Sequence, residues 1–98
     1  MQNKKKHEMS LGEAIKAYMK QNNLQDTALI QQVIHDWERL MGRPIQENTE
    51  KVWFRDGVLY VRMNNPVWKN ELQLGKSKIK NLLNKEMGRD LINEVKIV

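Results

Sequence analysis

The chain has 98 residues, no cysteine, two histidines and a formal net charge of +5. That length gives one domain with a modest core, and the missing cysteine excludes disulfides, thiol catalysis and a cysteine-ligated zinc, while His7 and His35 are too few and too far apart for a metal site. The apolar runs are short and the opening MQNKKKHEMS has no apolar core behind its lysines, so neither a signal peptide nor a membrane span is expected and a cytoplasmic protein is the default.

Residues 1–9 read as a disordered basic arm, with Lys4, Lys5 and Lys6 against Glu8. Residues 10–98 read as a single domain. Ser10-Leu11-Gly12-Glu13 is a capping-box pattern, and Leu11, Ile15, Tyr18 and Met19 follow at helical spacing until Asn22-Asn23. A second helix is predicted from about Asp26 to Met41, with Leu29, Ile30, Val33, Trp37, Leu40 and Met41 on one stripe. Gly42 is placed for a left-handed cap, Pro44 blocks continuation, and residues 43–48 form a connector.

The stretch VWFRDGVLYV, residues 52–61, is a hairpin on a two-residue Asp56-Gly57 turn of type I′. Its register pairs Arg55 with Val58, Phe54 with Leu59, Trp53 with Tyr60, Val52 with Val61 and Lys51 with Arg62. One face, Val52, Phe54, Leu59, Val61 and Met63, belongs to the core. The other carries Lys51, Trp53, Arg55, Tyr60 and Arg62.

A third helix is predicted from Asn65-Pro66 to Met87, ending at Gly88, with Trp68, Leu72, Gly75, Ile79, Leu82 and Leu83 on its stripe and Gly75 allowing close approach to the sheet. INEVKIV closes the chain as a strand, Val95 and Ile97 alternating with Glu94 and Lys96. The order helix, helix, strand, strand, helix, strand implies a small α+β sandwich. A three-stranded sheet would carry helices on one face, its last strand parallel to one hairpin strand.

Nothing in the chain forms a recognisable catalytic constellation, and no enzyme activity or cofactor is expected. Asp36 and Glu38 flank Trp37 but point in different directions on a helix. Trp37 and Trp68 lie on apolar stripes and read as core. The hairpin's outer face is more informative. Trp53 and Tyr60 form a cross-strand pair, whereas Lys51 opposite Arg62, with Arg55 beside them, sets like charges together. Two aromatics bordered by three cations suit a stacking platform for single-stranded nucleic acid, and they equally suit a face covered by another protein or a second copy of the chain. Lys69, Lys76 and Lys80 form a lysine row along the third helix and are phosphate-binding candidates. The charge distribution favours a polyanionic partner, because residues 49–98 hold ten basic and six acidic side chains while residues 10–48 hold four and five.

Trp37 with Gly42, Asn48-Thr49, FRDGVLYV, NPVWKNEL, LLNKEMG and VKIV, in that order and spacing, make the chain similar to the DciA family of bacterial proteins. The resemblance covers residues 10–98. It implies a KH-like domain and a non-enzymatic accessory role in loading or operating the DnaB-type replicative helicase at replication initiation, with the helicase and DNA as partners. The positions that match the family pattern are Trp37, Gly42, Gly57, Leu59, Val61, Trp68, Leu72, Leu83 and Gly88, nearly all core or turn residues. The GxxG loop with which KH domains clamp a nucleic-acid backbone is absent. The reading is therefore a module that binds single-stranded or forked DNA through Lys51, Trp53, Arg55, Tyr60, Arg62, Lys69, Lys76 and Lys80. The alternatives are a homodimerising or protein-interaction domain that uses the outer hairpin face, and an RNA-binding module.

Overall fold

The computed structural model describes residues 10–21 and 24–98, the side chains of residues 18–21 excepted. The elements are α1 (Leu11–Gln21), α2 (Leu24–His35), α3 (Trp37–Met41), α4 (Arg43–Glu47), β1 (Thr49–Arg55), β2 (Val58–Met63), α5 (Pro66–Leu74), α6 (Lys76–Met87) and β3 (Glu94–Ile97). The α+β class, the element order and the three-stranded sheet are those expected. The basic arm, Asn22-Asn23 and the Tyr18 and Met19 side chains lie outside the described residues.

Local chemistry starts and stops the elements. The Ser10 N–H donates to Glu13 Oε1 at 3.0 Å while the Glu13 N–H donates to Ser10 Oγ at 3.1 Å, which opens α1 with a complete capping box. These bonds also hold the Glu13 carboxyl below its usual pKa. Asn65 Oδ1 accepts from the N–H groups of Val67 and Trp68 at the start of α5. Gly88 ends α6 with φ 72° and ψ 15°, a left-handed cap.

Two helices expected to be continuous are broken. At Asp36, with φ −90° and ψ 20°, the chain bends between α2 and α3 without losing its bonds, since Asp36 N–H donates to Gln32 O and Leu40 N–H to Asp36 O. At Gly75, with φ −104° and ψ 15°, α5 gives way to α6. A Cβ at Gly75 would meet nothing nearer than backbone oxygens of its own helix at 3.8 Å, so this glycine marks a bend and does not admit a close approach to the sheet. The bend resets the helical phase. α6 buries Ile79, Leu83 and Met87, while Leu82 stays exposed. Gly42 has the positive φ of 92° but a ψ of 157°, an extended conformation outside the left-handed helical region, and the expected connector behind it is the helix α4, with Pro44 in its first turn.

The sheet order is β1-β2-β3, with β1 and β2 antiparallel and β2 and β3 parallel. The hairpin register is the expected one at every pair from Lys51 to Arg55, and a bulge at Glu50 follows. Asp56 and Gly57 both have positive φ, 51° and 81°, as a type I′ turn requires. Gly57 has a second constraint, because a Cβ there would come within 2.5 Å of the Asn93 amide.

Leu59, Val61 and Met63 of β2 and Val95 and Ile97 of β3 face a core completed by Ile30, Val33, Trp37, Leu72, Ile79, Leu83, Met87 and Ile92. Val52, Phe54 and Trp68 are half-buried against it. The Trp37 Nε1–H donates to Thr49 Oγ1 at 3.1 Å, and that hydroxyl donates to Ile45 O at 2.6 Å, so the indole N–H is satisfied in the interior. Asn84, the one buried polar side chain among the described residues, is bonded through Nδ2 to Ile92 O and through Oδ1 to Ile92 N–H. Arg39 bridges Asp36 and Glu86, tying α3 to α6. On α1, by contrast, Leu11 and Ile15 are 79% and 49% exposed.

Candidate nucleic-acid interface

In a strand, alternate side chains take opposite faces, so the residues between the core positions define the sheet's outer face. On β1 these are Lys51, Trp53 and Arg55, and on β2 they are Val58, Tyr60 and Arg62. On β3 they are Glu94 and Lys96, since Val58 pairs with Glu94 and Tyr60 with Lys96. Lys51, Arg55, Arg62 and Lys96 are exposed and Trp53 and Tyr60 half-exposed, so the described residues leave this face open.

Lys96 is a functional candidate that the reading of the sequence missed. Its alternation with Val95 and Ile97 was visible, but only the pairing of β3 beside β2 brings it next to Tyr60. Four cations thus surround the aromatic pair, with Glu94 as the acid on the same face of the strands. Arg55 also lies 3.6 Å from Asp56, but both side chains are largely exposed, and such a pair contributes little and leaves the guanidinium available.

The indole of Trp53 is the hub. It stacks on Tyr60 with ring centroids 5.2 Å apart and planes within 7°. Lys51 Nζ lies 5.2 Å and Arg62 Cζ 5.0 Å from the Trp53 ring centroid. The like-charged pair opposed across the strands is therefore accommodated by the electron-rich ring, and among the described residues no carboxylate pairs with either cation. A base could stack on this ring only by displacing groups already packed on it, whereas phosphate oxygens could reach the cations where they stand.

The break at Gly75 falls within the lysine row of Lys69, Lys76 and Lys80. Lys69 lies on α5, and the bend at Gly75 carries Lys76 and Lys80 onto α6. Those two line a small depression with Ser77, Asn93, Glu94 and Val95 at the start of β3. Gln73 on α5 donates to Ile97 O at 3.3 Å. Glu94 connects the regions, because it points to the outer face and also borders the depression.

Asp36 accepts from the Gln32 amide and the Arg39 guanidinium, which together hold its carboxyl below the usual aspartate range. Among the described residues no three His, Cys, Asp or Glu side chains converge to hold a metal, and no helix is long and apolar enough to cross a membrane.

No curated protein and no solved structure matches the chain. One family model does, that of DciA, described as Dna[CI] antecedent, and it spans residues 10–97. Of the positions on which the resemblance rests, Trp37, Leu59, Val61, Leu72 and Leu83 are buried, and Gly57 and Gly88 occupy turns with positive φ. With the match covering nearly the whole chain, the protein belongs to the DciA family, whose role is linked to loading of the DnaB-type helicase in replication.

Proposed function

We propose that the protein is a non-enzymatic accessory of the replicative helicase in the bacterial cytoplasm and holds single-stranded or forked DNA on the outer face of its sheet. The observation that supports this most is the open face itself, with Lys51, Arg55, Arg62 and Lys96 around the Trp53–Tyr60 pair. In this reading the cations take phosphates and Trp53 orients Lys51 and Arg62. Lys76 and Lys80 extend the positive field beyond the edge of the sheet, and Lys69 extends it along α5. Binding through phosphates is tolerant of sequence, which suits a protein that meets whatever DNA a helicase is loaded on.

Fluorescence anisotropy with a labelled oligothymidylate at two salt concentrations tests the reading. Arg62→Ala with Lys96→Ala removes two phosphate contacts, so affinity falls about tenfold at low salt and the slope of log K against log salt becomes shallower by roughly 1.4. An unchanged slope, or no binding by the parent protein at low salt, removes the proposal. An oligouridylate run in parallel separates DNA from RNA as the preferred polymer.

A further inference from the structure

The two edges of the sheet are treated differently. The β3 edge is closed: Val95 and Ile97 are 3% and 5% exposed, and Gln73 on α5 bonds the Ile97 carbonyl. The β1 edge is not. In a two-residue hairpin the residues flanking the turn exchange both backbone bonds and pairs alternate from there, so Arg55, Trp53 and Lys51 face β2 with their N–H and C=O groups. The other side of β2 agrees, since Val61 O accepts from Val98 N–H and is turned toward β3. It follows that the N–H and C=O groups of Val52 and Phe54 point out along the free edge of β1. Among the described residues none of these four groups has a hydrogen-bond partner.

Unpaired edges are ordinarily covered, bulged or shortened, because they template pairing with another chain. Here the bulge at Glu50 limits the edge at one end, but the stretch from Lys51 to Arg55 is regular. At the bulged end of this stretch lies a depression of about 180 Å³ lined by Ile34, Trp37, Gln46 and Thr49 to Val52. An edge strand with a helix alongside and a recess between them is the geometry of peptide recognition by strand addition, in which main-chain bonds provide affinity and alternate side chains provide selectivity.

We propose that the β1 edge is a docking site for an extended segment of a partner protein in which acidic and apolar residues alternate. Side chains of the added strand that share the face of Val52 and Phe54 lie toward Ile34 and the recess, and must be apolar. Those that share the face of Lys51 and Arg55 meet two cations, with Arg62 on the neighbouring strand, and must be acidic. Charge also excludes a second copy as occupant. The antiparallel register that uses all four edge groups of both copies pairs Val52 with Phe54 and so sets Lys51 of one copy against Arg55 of the other. The surface shares Lys51, Arg55 and Arg62 with the nucleic-acid reading, but its main-chain affinity comes from the outward backbone groups of Val52 and Phe54, so removing one of those groups distinguishes the two.

The test selects random dodecapeptides displayed on phage against the full chain. The enriched peptides should alternate Asp or Glu with apolar residues, and the best of them, added as a synthetic peptide, should slow amide exchange at Val52 and Phe54 at least tenfold. Val52→Pro removes one outward N–H without touching a bond to β2, and should weaken that peptide at least tenfold while oligothymidylate binding stays within twofold. Lys51→Glu with Arg55→Glu, both exposed positions, should shift the enriched peptides from acidic to basic, and this second variant decides the matter if the proline disturbs the hairpin. No enrichment, enriched peptides without alternation, protection confined to the helices, or a dimer at micromolar concentration that Val52→Pro abolishes would each overturn the proposal. Failure of oligothymidylate binding in the parent protein would overturn the nucleic-acid reading alone.

Discussion

The two faces of the sheet use the same strands for different ends. On β2, Leu59 and Val61 are fully buried while Tyr60 and Arg62, their immediate neighbours in the chain, look outward. The positions that match the family pattern are mostly buried or in turns, Leu59 and Val61 of the inner face among them. The outer face carries the charge. A strand's period of two makes this division possible, since packing constrains one set of positions and leaves the other free to meet a ligand. Family membership is accordingly a statement about the inside of this molecule, and the outer cations must be judged by their own geometry.

Substitutions can break this comparison. The largest effect is expected from Leu59→Ala, which empties a fully buried site and should cost roughly 2–5 kcal/mol. Thermal unfolding followed by circular dichroism should show a fall of at least about 10 °C, with oligothymidylate affinity retained at temperatures where the variant is folded. If affinity is lost there too, the faces are not independent. Trp53→Ala should act in between. It removes the stacked pair and the seat of two cations, costs about 1 kcal/mol of stability, and lowers affinity less than about threefold. A tenfold loss of affinity would show that bases stack on the indole. Glu94→Gln should have the smallest effect. Removing the acid between Lys96 and the Lys76–Lys80 depression leaves the melting temperature unchanged and tightens oligothymidylate binding about twofold at low salt, an advantage that screening abolishes at high salt. Unaltered affinity at low salt would separate the depression from the outer face.

Much of the fold was legible because its signals are local. Asp56-Gly57 set the hairpin register, Ser10 with Glu13 and Asn65 with Pro66 opened two helices, and Gly88 closed one. The breaks at Asp36 and Gly75 were not legible, because each falls within an uninterrupted apolar period and neither position is a proline. Their consequence for the site was direct. The break at Gly75 falls between Lys69 on α5 and Lys76 and Lys80 on α6, and those two border β3. Lys96 was missed for a related reason, since a strand's own sequence says which side chains alternate but not which strand lies beside it. The accommodation of Lys51 and Arg62 on Trp53 was hidden as well, because like charges in register read as a conflict until the ring between them is seen.

By itself the sequence determined the class of fold, the hairpin with its two chemically distinct faces, and the concentration of positive charge in residues 49–98, because turn preference, alternation and composition act over a few residues. Only the tertiary structure decided that β3 adds Lys96 to the outer face, and that among the described residues this face is open and the β1 edge has unpaired backbone groups while the β3 edge is covered. Those outcomes depend on which elements become neighbours, and that is settled by how the buried faces of α2, α5 and α6 fit one core.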